Sequence, residues 1–268
     1  MKALTKLSCL ILCLALLLGS LTSCDTLKEL VDKYGDNITL PSGGDEIDPD
    51  KYAASVRIVF ATNDDKMKAA VDAMSSSSTI LSDGFDLSVH TTANTGSASV
   101  ENTYTYINGM IFHRLLIQSG EISVEKLERS AFDDSAAETL LNKAGAGASI
   151  DTSDFNTCDA SEGDVVSSYI CSDIKDDAKA SLEGIIASRF AAIGADVKLE
   201  DVYFTLDTKN DVATSSVLSC SFKITMDGKI YEITMHTYTD YDYSADVQID
   251  IPDNFGSYSD VSYEDIIG

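Results

Sequence analysis

The chain has 268 residues, with 19 basic side chains against 44 acidic ones and a formal charge of −25. A surface so acidic repels nucleic acid and anionic headgroups, which argues against direct docking on DNA, RNA or a bilayer face. The length suits one domain with a substantial core. The absence of tryptophan removes the ring best suited to stacking on a sugar.

The chain opens on Met1, Lys2 and Lys6, an uncharged apolar run from Leu7 to Leu21, and Thr22-Ser23-Cys24. That order is a basic region, an apolar region and a small-residue cleavage zone. The apolar run is shorter than the ~20 residues a spanning helix needs, and polar chain follows at Asp25. Leu21-Thr22-Ser23-Cys24 resembles the lipobox of bacterial lipoproteins. The resemblance implies a signal peptide over 1–23, a lipid on the Cys24 thiol, and attachment to the extracytoplasmic face of the cell membrane. Two acyl chains, at ~0.8 kcal/mol per buried CH₂, hold such a protein essentially permanently. Residues 24–51 read as an acidic tether, with a short helical stretch to Tyr34 and then Pro41-Ser42-Gly43-Gly44, Asp45, Glu46, Asp48 and Asp50.

The folded domain is expected over 52–268. Val56, Ile58 and Phe60 alternate as a strand does. Asn63-Asp64 can cap a helix through Ser76, with Met67, Ala70, Val71 and Met74 as its apolar stripe. Phe85, Leu87 and Val89 mark a strand. Asn108-Gly109 is a hairpin signal that sets Tyr106 against Ile111 and Tyr104 against His113. A turn at Ser119-Gly120 sets Ile117 against Ile122 and Leu115 against Val124. Asp134 to Lys143 has a helical pattern stopped by Gly145 and Gly147. Short strands flank 161–164, and a helix follows from Lys175 to Phe190 with Ala178, Leu182, Ile185 and Ile186 inward. Val202, Phe204 and Leu206 form a strand.

A turn at Asp227-Gly228 sets Cys220 against Met235, Phe222 against Ile233, and Ile224 against Tyr231. Ser219, Ser221 and Lys223 fall on the other face, opposite His236, Thr234 and Glu232. Val247, Ile249 and Ile251 continue the apolar face as a fourth strand. A sheet with one greasy and one wet face is covered on one side. The fold class expected is therefore α+β: a strongly bent antiparallel sheet, a half-barrel, with its apolar face under helices.

The order of these elements, including Tyr106-Ile107-Asn108-Gly109 and the closing meander near Ile251-Pro252, resembles the half-barrel proteins grouped around the LolA and LppX lipoprotein and lipid carriers. That group includes many clostridial lipoproteins of unknown role. The resemblance spans about residues 52–255 by element order, without an invariant motif. It implies a lipid or other apolar ligand held between sheet and helix, against Phe204, Leu218, Phe222, Ile224, Ile233, Met235, Val247, Ile249, Ala178 and Leu182. The rival reading is a non-enzymatic surface interaction or structural lipoprotein with a fully packed core.

No catalytic constellation, metal site or cofactor motif emerges. His90, His113 and His236 lack ligand spacing, and Asp240, Asp242 and Asp246 lack the order of a calcium loop. The two Ser-x-x-Lys matches, at Ser123 and Ser172, stand without the companion motifs of penicillin-recognising enzymes. Tyr238, Tyr241 and Tyr243 suit the shielding of a sheet edge better than a sugar. Of the mature cysteines, a turn centred on Glu162-Gly163 offsets Cys158 from Cys171 by four residues, about 14 Å, beyond the ~7 Å a bridge tolerates. Cys158, Cys171 and Cys220 are thus expected as free thiols.

Overall fold

The computed structural model describes residues 51–84, 86–94, 98–131, 150–161, 163, 166–190, 194–210, 212–226 and 228–267. Strands β1 (Lys51–Thr62), β2 (Ser76–Asp83), β3 (Asp86–Asn94), β4 (Ser99–Ile107), β5 (Met110–Ser119) and β6 (Ile122–Ala131) form one antiparallel meander. Strands β7 (Phe155–Ser161), β8 (Val166–Ile174), β9 (Asp196–Lys209), β10 (Val212–Met226) and β11 (Lys229–Asp242) form a second. The two meet where β1 pairs antiparallel with β11, and β12 (Ser259–Asp260) lies parallel to β6. The result is a single sheet of order β12-β6-β5-β4-β3-β2-β1-β11-β10-β9-β8-β7. Among the described residues its end strands, β12 and β7, do not pair with each other, so the sheet is open.

Alternation decides which face is buried. In β1, Tyr52, Ala54, Val56, Ile58 and Phe60 point inward and the residues between them do not. Their partners on β11 and β2 continue the same face: Phe60 stands against Met235, and Ala54 against Ile80. The period of two carries this inner face from β5, with Ile111, to β7, with Phe155, as one apolar cluster.

The expected α+β class with helices covering a half-barrel is overturned. Strand dominates the described residues, in which the α-helices are α1 (Lys68–Asp72), α2 (Asp176–Phe190) and α3 (Tyr263–Ile267). Their contribution to the main core is confined to a few side chains, among them Val71, Leu182, Ile186, Phe190 and Ile266. The helix expected to run from Asn63-Asp64 to Ser76 shrinks to α1. Asp64 Oδ1 accepts from the Lys66 and Met67 amides at 2.8 and 3.1 Å in the turn before the helix, but it does not cap α1, whose N-cap position is Met67 and has no side-chain capping bond. The serine run that follows hydrogen-bonds backbone better than it propagates a helix. Ser75 Oγ accepts from Phe60 N at 3.1 Å, and Ser76–Asp83 becomes strand β2 between β1 and β3.

The hairpin at Asn108-Gly109 has the expected register, Tyr106 against Ile111 and Tyr104 against His113, with both turn residues at positive φ (52° and 72°). So has the β10–β11 hairpin: Cys220 faces Met235, Phe222 faces Ile233 and Ile224 faces Tyr231. The β5–β6 register is corrected by two residues. Gly120 with φ 58° takes the first of two loop positions, so Ser119 pairs with Ile122 and Ile117 with Val124. The expected fourth strand at Val247–Ile251 is irregular chain. Strand β11 is not at an edge, being flanked by β1 and β10, and Tyr241 and Tyr243 pack on Tyr52 with ring centroids 5.9 Å away in each case. The expected helix at 134–143, the signal peptide and the tether up to residue 50 lie outside the described residues, as does Cys24; Lys51, expected as the end of the tether, opens β1.

Candidate functional site

Seven of the ten expected apolar site residues come together in the main core: Leu182, Phe204, Leu218, Phe222, Ile224, Ile233 and Met235. Helix α2 reaches them because Leu182, Ile186 and Phe190 recur at intervals of four on one side of it. Phe190 sets its ring edge-on to Phe60 (6.4 Å) and Phe222 (5.6 Å). Acidic Asp176 and Asp177 in the first turn complement the helix dipole. Glu183 Oε2 accepts from Leu199 N at 2.7 Å, tying the helix to β9.

The other three lie elsewhere. Ala178 is half-buried at the rim of α2. Val247 is buried outside the main cluster, and Ile249 packs on the far half of the sheet, beside Ile107, Phe112 and Tyr258. Both departures follow from the loss of the fourth strand.

Packing at the centre is tight. Leu182 and Ile224 are 0 % exposed, and Phe222 and Ile233 are 1 %. Solvent thus reaches almost none of the surface of these four side chains. A cleft of about 270 Å³ opens instead at the start of α2, lined by Ser172, Asp173, Asp176, Lys179, Glu200 and Tyr203 among others. None of the ten apolar residues lines it. Its charges are partly met internally: Lys179 Nζ donates to the Glu200 carbonyl at 3.0 Å and Lys223 Nζ to Glu200 Oε1 at 2.5 Å.

A polar network escaped the sequence reading. On the inner face of β4–β6, His113 Nε2 lies 2.8 Å from Asn102 Oδ1, and Nδ1 lies 3.3 Å from Glu128 Oε2. Lys126 Nζ meets Glu128 Oε1 at 2.7 Å, and the Tyr104 and His113 rings stack at 4.6 Å. Burial lowers the His113 pKa below the ordinary 6.5, against the pull of Glu128. A turn placed one residue early sets Lys126 opposite His113; the observed register sets Glu128 there. His90 and His236 are occupied more simply, by Thr103 Oγ1 at 2.8 Å and Ser219 Oγ at 2.9 Å. Among the described residues, no three His, Cys, Asp or Glu side chains are grouped to hold a metal ion.

Three free thiols are not what the fold contains. Ser161 pairs with Ser168, so the β7–β8 loop is six residues long, not two, and Cys158 falls directly opposite Cys171. The two form a disulfide. Cys220 stays free, and burial pushes its thiol up to about 12.

No family model and no curated protein matches the chain. Among solved structures it is weakly similar to an inactive mutant of the CurJ dehydratase in complex with a compound, at 7 % identity and TM-score 0.13, over 84 % of this chain and 86 % of that one. An N-terminal dehydratase from the difficidin assembly line is comparable, at 9 % identity and TM-score 0.12, over 80 % and 81 %. Scores so low carry no argument about fold or activity.

Proposed function

We propose that the chain is an exported lipoprotein, anchored through Cys24, whose β-sheet domain is a non-enzymatic interaction or structural module held off the membrane on its acidic tether. The observation that carries this reading over the lipid-carrier alternative is the filled inner face, with Leu182, Phe222, Ile224 and Ile233 at 0–1 % exposure. A carrier of this kind needs a pocket of ~300 Å³ or more lined by such side chains. The cleft at the start of α2, among the described residues, is smaller and lined mostly by charged and polar groups. The Cys158–Cys171 disulfide supports export, since such bonds persist on the oxidising side of a membrane.

Lipid extraction of the chain purified without denaturant tests the packed-core reading. The expected yield is the covalent anchor alone, with no binding of a fluorescent fatty acid. A stoichiometric, non-covalent lipid would restore the carrier. Cys24→Ser tests the anchor: the variant should escape labelling by a clickable fatty acid and leave the membrane fraction or retain its signal peptide, and equal labelling of both proteins would end that part of the reading.

A further inference from the structure

Arg189 occupies the last turn of α2, next to Phe190 and three residues beyond Ile186. It is only 5 % exposed, and its Nη1 has no hydrogen-bond partner. Among the described residues no carboxylate pairs with it, in a chain with 44 acidic side chains. Burial draws its pKa down to about 10 with no opposing ion pair, so it remains charged at neutral pH. The other buried side-chain atom without a partner among the described residues is Thr237 Oγ1. A hydroxyl can be left so at modest cost; a guanidinium cannot, because a buried charge demands a counter-charge and acceptors. The C-terminal end of the helix dipole supplies a fraction of a negative charge near Arg189, but no acceptor to Nη1.

We propose that Arg189 is the core of a binding site for the carboxylate or phosphate group of a small anion, at the C-terminal end of α2. The planar fork of a guanidinium matches both groups, giving two parallel charge-assisted hydrogen bonds. The orphaned donor is then the half of a pair whose other half comes from solution. Adding it removes the cost of an unpaired buried cation and stabilises the fold by mass action.

The test uses the full chain in detergent, melted by far-ultraviolet circular dichroism at constant ionic strength in chloride, inorganic phosphate, acetate or octanoate. Wild type should gain several degrees in phosphate, acetate or both, saturably, beyond any gain in Arg189→Met. In chloride Arg189→Met should melt at or above wild type, since it replaces an unpaired charge with an apolar chain. A response to phosphate alone assigns a phosphoryl ligand, and a response to acetate a carboxylate. Octanoate exceeding acetate supports the site while showing that an alkyl tail is also held, which would overturn the packed-core reading but not this one. Equal responses of wild type and Arg189→Met to every anion would overturn the proposal, because only the general effect of salts would remain. Should Arg189→Met fail to fold, calorimetric titration of wild type with phosphate and acetate decides: the absence of any saturable heat would overturn it.

Discussion

The meanders β1–β6 and β7–β11 run outward from the same β1–β11 seam, yet they bury different chemistry on the same face. From β8 to β11 the inner rows are mostly apolar, with Phe204, Leu218, Phe222, Ile224 and Ile233 buried, Thr208 and Thr237 as buried polar exceptions, and the 15-residue α2 laid against them. From β2 to β6 the same face is laced with buried Ser78, Ser82, Thr91, His113, Glu128 and Ser130. These polar groups are met across the sheet: Ser78 Oγ lies 2.9 Å from Thr91 Oγ1, and Glu128 bridges His113 and Lys126. Close apolar packing and a polar lattice thus close the two halves of one sheet, and among the described residues the first holds a buried cation, Arg189, without a carboxylate partner. The edges differ as well. Strand β7 is tied to β8 by a disulfide, whereas β6 is flanked by the two residues of β12 and by the exposed Arg129–Asp260 pair at 2.7 Å.

The sharpest way to probe this difference is to open the apolar half. Phe222→Ala should cost about 3–5 kcal/mol, the range for a buried Phe truncated in a packed core. Urea denaturation should show it as a lower midpoint at unchanged slope. A cost below ~1 kcal/mol would mean the ring bordered free space, and the contrast between the halves would fail.

Cutting the covalent edge comes next. The bridge spans 13 residues, and chain-entropy arguments put a loop of about that length near ~3 kcal/mol. The double variant Cys158→Ser with Cys171→Ser should lose stability of that order at most. Thiol counting on the denatured, unreduced mature protein should find one free thiol, that of Cys220. In the folded state Cys220 should resist alkylation at neutral pH, because the thiolate form is suppressed. A count of three would remove the disulfide from the comparison.

The smallest effect belongs to the polar half. His113 has a folded pKa below the unfolded 6.5, so in that window the unfolded chain binds the extra proton. Its contribution to stability is complete above pH 6.5 and declines as pH falls toward the lower folded value. Thermal melts should therefore show a midpoint falling on the acid side of 6.5, with a shallower slope in His113→Gln. An identical slope in both proteins would show that His113 does not titrate differently on folding.

Much of the C-terminal meander was legible because its signals were local. Asp227-Gly228 and the alternation around it set the β10–β11 register to the residue, and Asn108-Gly109 did the same for β4–β5. Where a turn offered several positions, small errors had large consequences. One position at Gly120 hid Glu128 from His113, and a six-residue loop taken as two separated Cys158 from Cys171. Arg189 carried no signal of its own, since an arginine in the last turn of a helix is ordinarily a solvated group suited to the dipole.

By itself the sequence determined the lipobox-like start, the acidic charge, most strands from β3 to β11 and the α2 helix, because each depends on neighbours in the chain. Only the tertiary structure decided that β1 pairs with β11, that Ser76–Asp83 is strand, that Ile249 belongs to the far half, and that Cys158 meets Cys171. Whether the apolar face is full or hollow was likewise a tertiary matter. Periodicity says which side chains turn inward, but how closely they fill the space between distant strands depends on partners far away in sequence.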